Sequence, residues 1–114
     1  MNAAQRDIVL VPFPFSDQSG RKVRPAIVVS NSVFNQASDD VLLMGMTSNI
    51  AKEQYTVLVT KKNLEEGTLK DDCCIKVENI LKLDKSLVIK KIDRVTKETL
   101  QQAVAILGAI VKPE

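Results

Sequence analysis

Apolar positions along the chain fall into short runs divided by polar, turn-forming clusters. Ile8 to Val11 is a β-prone run that leads into Pro12-Phe13-Pro14-Phe15. Two prolines remove ladder donors, so this stretch should end at a sheet edge or bend away. Ser16 to Gly20 reads as a loop. Ala26 to Val29 is a short buried strand, preceded by Arg24, which Pro25 holds in extended geometry. Val33 to Ala37 fits one helical turn, and Val41 to Met46 a second buried strand closed by Thr47-Ser48-Asn49. Tyr55 to Thr60 alternates as a third strand. Lys61 to Gly67 is a loop with a short turn. Cys73 to Val77, Ile80 to Leu83 and Leu87 to Ile92 read as further strands. The period then changes: Leu100, Ala103, Val104, Leu107 and Val111 share one helical face. Thr96 is the expected N-cap, Glu98 suits the first turn, and the helix should run from about Lys97 to Val111. Gly108 marks either fraying or a close approach. Six or seven short strands and one terminal helix predict a mostly β fold: a small, mainly antiparallel barrel or half-open sheet with the helix across its open face.

At 114 residues and 12.6 kDa the chain is expected to form one domain, 1–114. An apolar share of 45% against 26% charged is that of a globular core rather than a disordered segment. No apolar run nears the roughly 20 residues of a membrane span, and the start of the chain lacks a signal-peptide layout. A cytoplasmic protein without membrane contact is the expectation. There is no histidine, so a Ser-His-Asp triad, a Cys-His dyad and a histidine-ligated metal are excluded. Cys73 and Cys74 are adjacent. Neighbouring strand positions point to opposite faces, which predicts one core thiol and one surface thiol. Net charge is only +2, but its distribution is uneven. From Lys76 to Lys97 seven basic residues stand against three acids, and Arg21, Lys22 and Arg24 form an earlier group. Solvated faces are the plain reading of each group. Brought together, they would make a surface for a polyanion.

Three segments, in order, resemble the MazF/PemK family of toxins from toxin–antitoxin systems. The first runs from Arg6-Asp7-Ile8-Val9-Leu10-Val11 to Arg24-Pro25-Ala26-Ile27-Val28-Val29-Ser30-Asn31. The second is Val41 to Asn49, a strand ending in Thr-Ser. The third is Ile75 to Ser86, with its Leu83-Asp84-Lys85-Ser86 step. The likeness spans nearly the whole chain. It implies an SH3-like barrel of the CcdB/MazF type with a C-terminal helix, usually a homodimer. It also implies metal-independent, sequence-specific cleavage of single-stranded RNA with no cofactor, and a cognate antitoxin that covers the RNA groove. DNA would be met only indirectly, through the antitoxin complex. Relatives on the same fold poison DNA gyrase by protein contact, and a non-cleaving member that only binds RNA or antitoxin is the third possibility.

By this resemblance the family arginine before proline falls on Arg24 and its strand-end threonine on Thr47. The family's Arg-x-Asp-Gln stretch reads Lys76-Val77-Glu78-Asn79 here. Lysine keeps the charge but loses the two-pronged donor. Leu81 stands where the family carries a further arginine. Arg6 and Asp93 occupy positions that are glycine in relatives, and both are expected to be structural. RNA brings its own nucleophile, the 2′-OH. Arg24 and Thr47 would then bind the phosphate oxygens, with Lys76 adding charge. Glu78 would act as the base, provided burial raises its affinity for a proton. An ordinary surface pair is the alternative for Lys76 and Glu78. Phe13, Ser16, Asp17, Arg21, Lys22, Ser48, Asn49, Asn79 and Lys82 are the candidate RNA contacts. Phe13 and Phe15 are equally suited to core or dimer packing.

Overall fold

The computed structural model describes residues 3–13, 22–50 and 54–114. Its elements are β1 (Asp7–Phe13), β2 (Lys22–Val28), α1 (Ser32–Ala37), β3 (Asp40–Thr47), β4 (Thr56–Val59), β5 (Cys73–Asp84), β6 (Lys90–Arg94) and α2 (Lys97–Ile110). The strands form one sheet in the order β4-β5-β3-β2-β1-β6, and every ladder is antiparallel. The sheet curls until its ends meet. Leu64, beyond β4, bridges Val95, beyond β6, and the Glu65 N–H donates to the Arg94 carbonyl at 2.7 Å. This is the half-closed antiparallel barrel with a C-terminal helix that the hydrophobic pattern called for.

Alternation along the strands builds two cores, one on each face of the sheet. The face toward α2 holds Ile8, Ile27, Met44, Met46, Ile75 and Val77, closed by Leu100 and Ala103 of the helix. The other face holds Val9, Val11, Ala26, Val28, Val41, Leu43 and Leu83. Thr96 caps α2, its hydroxyl accepting from the Thr99 N–H at 3.3 Å. The buried stripe of α2 is Thr99, Leu100 and Ala103, with Ile106 and Leu107 half-buried. Val104 and Val111, expected on that face, are exposed, because the stripe turns toward Ile106. A side chain at Gly108 would meet nothing within 4 Å, so no close approach requires this glycine.

Three further expectations are corrected. The two strands predicted at 73–77 and 80–83 are one strand, β5, interrupted in register but not broken. The strand predicted from Leu87 starts at Lys90, because Lys85–Leu87 closes a 3₁₀ turn capped by Asp84. Both cysteines are buried, and neither is in a disulfide. Cys74 does point away from the α2-side core, but Thr47 and Leu58 flank it on the neighbouring strands. Pro12 is accommodated as the sequence implied: β6 pairs with β1 only from Asp7 to Leu10, so Pro12 has a single ladder, to β2.

Candidate nucleic-acid interface

Register determines which of the expected site residues share a face, because directly opposed residues in a sheet point the same way. On β2, Arg24 lies opposite Val11 of β1, on the face of Ala26 and Val28. The β2–β3 ladder pairs Ala26 with Gly45, Ile27 with Met44 and Val28 with Leu43. Continued beyond Ala26, the same register brings Arg24 level with Thr47. Thr47 in turn pairs with Cys74 of β5, which places Lys76, two residues on, on the same face. Arg24, Thr47 and Lys76 therefore stand on one face of three successive strands, β2, β3 and β5. With strands about 4.8 Å apart, the span from Arg24 to Lys76 is about 10 Å across the sheet. All three side chains are half-buried. The face is apolar at Ala26, Leu43 and Val41 and turns polar at Arg24 and Thr47.

From Lys76 onward β5 slips phase. Ile75 pairs with Met46, but Ile80 pairs with Met44, so residues 76 to 79 all lie against Gly45. The extra length bulges outward. Val77 still reaches the α2-side core, and Glu78 and Asn79 are left exposed. Past the bulge Leu81 and Leu83 face the side that Lys76 faces before it. Glu78 is thus next to the cluster but exposed, and the burial required for its use as a base is not supplied by this chain alone.

The other candidates divide. Lys22 lies on β2 two residues before Arg24, on the same face, and is exposed. Ser48 and Asn49 follow Thr47 and are exposed, with the Asn49 N–H donating to Thr47 Oγ1 at 3.1 Å. Phe13 is the register partner of Lys22. Lys82 is not brought to the cluster: it pairs with Leu42, and alternation from Leu81 and Leu83 turns it to the opposite face. Ser16, Asp17 and Arg21 lie outside the described residues. Sequence reasoning missed Thr56 and Leu58 of β4, which pair with Lys76 and Cys74 and extend the same face to the sheet edge. No local signal separates them from an ordinary strand.

Charge is organised elsewhere for structure. Asp93 is fully buried and accepts from the N–H groups of Glu66, Thr68, Leu69 and Arg94 at 2.7 to 3.2 Å. Burial alone would raise its pKa, but these bonds outweigh it and hold the carboxyl below its usual range. Arg6 has a positive φ of 80° and donates to Glu65 at 2.5 Å and to the Val95 carbonyl at 3.1 Å. Burial first, then the neighbouring charges of Asp71, Cys74 and Asp72, push the Cys73 thiol up, away from a reactive thiolate. Among the described residues, no three His, Cys, Asp or Glu side chains gather as a metal site, and no helix is long and apolar enough to cross a membrane.

With this geometry in hand, comparison with known families is decisive. Residues 4–111 match the model of the PemK-like, MazF-like toxins of type II toxin–antitoxin systems. The chain belongs to this family. Solved structures agree at the level of the fold. MazF from Deinococcus radiodurans superposes with a TM-score of 0.79 at 16% identity, over 99% of each chain. An endoribonuclease from a mycobacterial species, solved in complex with its cognate antitoxin, gives 0.77 at 18% identity, over 99% of each chain. The Mycobacterium tuberculosis toxin MazF-mt6 gives 0.75 at 13% identity, over 96% of this chain and 99% of its own. No curated protein matches by sequence. The MazF-like fold and toxin family are thus established, and they are the ones the three sequence segments resemble.

Proposed function

We propose that this protein is the toxin of a toxin–antitoxin pair and acts as a metal-independent, sequence-specific endoribonuclease on single-stranded RNA. The observation that carries this is the common face of Arg24, Thr47 and Lys76 on adjacent strands. Arg24 binds a phosphate through parallel N–H donors. Thr47 accepts from the Asn49 N–H, so its own hydrogen is left to donate to a phosphoryl oxygen. Lys76 adds positive charge where negative charge accumulates in the transition state. Glu78, at the bulge, takes the proton from the ribose 2′-OH as that oxygen attacks phosphorus. The bond to the 5′ oxygen breaks, and the departing oxygen takes a proton from water. The products are a 2′,3′-cyclic phosphate and a 5′-OH. RNA lying on the face covers Glu78 and supplies the desolvation that the free chain lacks. The working form is a homodimer, a cognate antitoxin restrains it, and contact with DNA comes only through that complex.

The test is incubation of the purified chain with a mixed-sequence single-stranded RNA, with the ends mapped. Cleavage giving 5′-OH ends, unaltered by EDTA, is the expected result. EDTA inhibition reversed by magnesium would move the carboxylates to metal binding. Tight RNA binding without cleavage over hours would identify a non-catalytic member. Inhibition of DNA supercoiling in a parallel assay, with RNA left intact, would identify a gyrase-directed toxin.

A further inference from the structure

The face that carries Arg24, Thr47 and Lys76 does not stop at Lys76. Thr47 pairs with Cys74, and Cys74 pairs with Leu58 of β4. One cross-strand row therefore runs Arg24, Thr47, Cys74, Leu58. The parallel row from Lys76 ends on Thr56. β4 is the edge of the sheet, so the first row ends on Leu58. Its strand neighbours Val57 and Val59 point the other way and are buried in the core beneath α2, whereas Leu58 is 49% exposed. Core packing thus accounts for Val57 and Val59 and leaves Leu58 unexplained. Three inter-strand steps separate it from Arg24, about 14 Å. A ribose–phosphate link held at Arg24 and Thr47 thus leaves the adjoining part of the strand lying over Cys74 toward Leu58. Cys74 is buried and offers that strand little surface.

We infer that Leu58 is a base-contacting residue of the RNA surface, an apolar platform at the edge strand for an unstacked base beside the scissile link, and that it contributes to the choice of cleavage sequence. This rests on the nuclease function proposed above. Single-stranded RNA is read through splayed bases whose faces need apolar cover. The large side chain standing half-free at the end of a row of polar site residues provides that cover, and Thr56 beside it supplies a polar border.

The test compares the parent chain with Leu58→Ala and Leu58→Met. The assays are cleavage of a mixed-sequence single-stranded RNA and equilibrium binding of the same RNA by fluorescence anisotropy. Leu58 is exposed, so neither variant threatens the core. Leu58→Ala should raise KM and the dissociation constant about three- to tenfold and redistribute the cut sites, with the effect in KM rather than kcat. Leu58→Met, which keeps the apolar volume, should restore parent behaviour. An unchanged KM and cut pattern in Leu58→Ala would overturn the inference. So would a change in sedimentation mass with RNA binding unaltered, which would assign Leu58 to a protein contact. A parent chain that binds RNA through Leu58 without cutting it would remove the nuclease function and leave this contact standing. A parent that neither binds nor cuts would remove both.

Discussion

Arg6 sits at φ 80°, a conformation that costs a residue with a side chain about 1 kcal/mol more than glycine. It is held there from several sides. Its N–H donates to Val28, its carbonyl accepts from Val95, and its guanidinium joins Glu65 to the Val95 carbonyl. The contacts offset the strain. Arg6→Ala keeps the strain and the backbone bonds but loses the guanidinium contacts, and should lower unfolding free energy by about 1–2 kcal/mol. Arg6→Gly should lose less, because glycine relieves the backbone. Chemical denaturation of both variants checks the order, and equal losses would show that the backbone is not strained. At the site, Arg24→Ala should reduce RNA cleavage at least about a hundredfold, with Arg24→Lys recovering only part, since lysine lacks the parallel donors. Single-turnover cleavage assays measure this, and parent-like turnover by Arg24→Ala would remove Arg24 from the mechanism.

At the scale of elements, one buried carboxylate gathers several backbone donors of the segment between β4 and β5. Asp93 gathers the N–H groups of Glu66, Thr68 and Leu69 and ties that segment to β6. Its pKa is lowered in the folded state, so the stability it contributes is fully present above the unfolded value, about 3.9. That stability is lost as pH falls through the lower, folded value. Acid unfolding curves should therefore show a steep loss of stability below about pH 4, and Asp93→Asn should flatten this limb while destabilising the protein at pH 7. An unchanged acid limb in the variant would place the loss elsewhere. In α2, Gly108 is exposed with free space around it. Gly108→Ala should raise stability by about 0.5–1 kcal/mol through helix propensity, readable as a higher denaturation midpoint. The helix itself was legible: Thr96 as cap and the spacing of Leu100, Ala103 and Leu107 are signals contained within a few residues. Its exact buried stripe was not, because Val104 and Ile106 are equally apolar and only the neighbouring sheet chooses between them.

At the scale of the whole molecule, the sheet closes through Leu64 and Val95, with one core beneath α2 and another on the face that leads into the site. A paired RNA groove needs two chains, so sedimentation at micromolar concentration should give twice the 12.6 kDa chain mass. A clean monomer would remove the paired groove and leave the site to one chain. Strands β1 to β4, the capped helix and the missing histidine were legible in the sequence alone, since each depends on residue types and periods a few positions long, whereas the joining of 73–77 with 80–83 into β5 and the 3₁₀ turn that delays β6 to Lys90 were not. The likeness in three segments also pointed to Arg24, Thr47, Lys76 and Glu78. What only the tertiary structure decided is how those positions meet. Pairing of Cys74 with Thr47 puts Lys76 on the face of Thr47, and the slip of β5 opposite Gly45 leaves Glu78 exposed and sends Lys82 to the far face. Cys74, between Thr47 and Leu58 on the neighbouring strands, is buried, and Leu58 on the edge strand is left exposed. Register and curl are set by contacts between strands far apart in the chain, and a one-residue slip reverses every side chain beyond it, so no local pattern could have encoded the outcome.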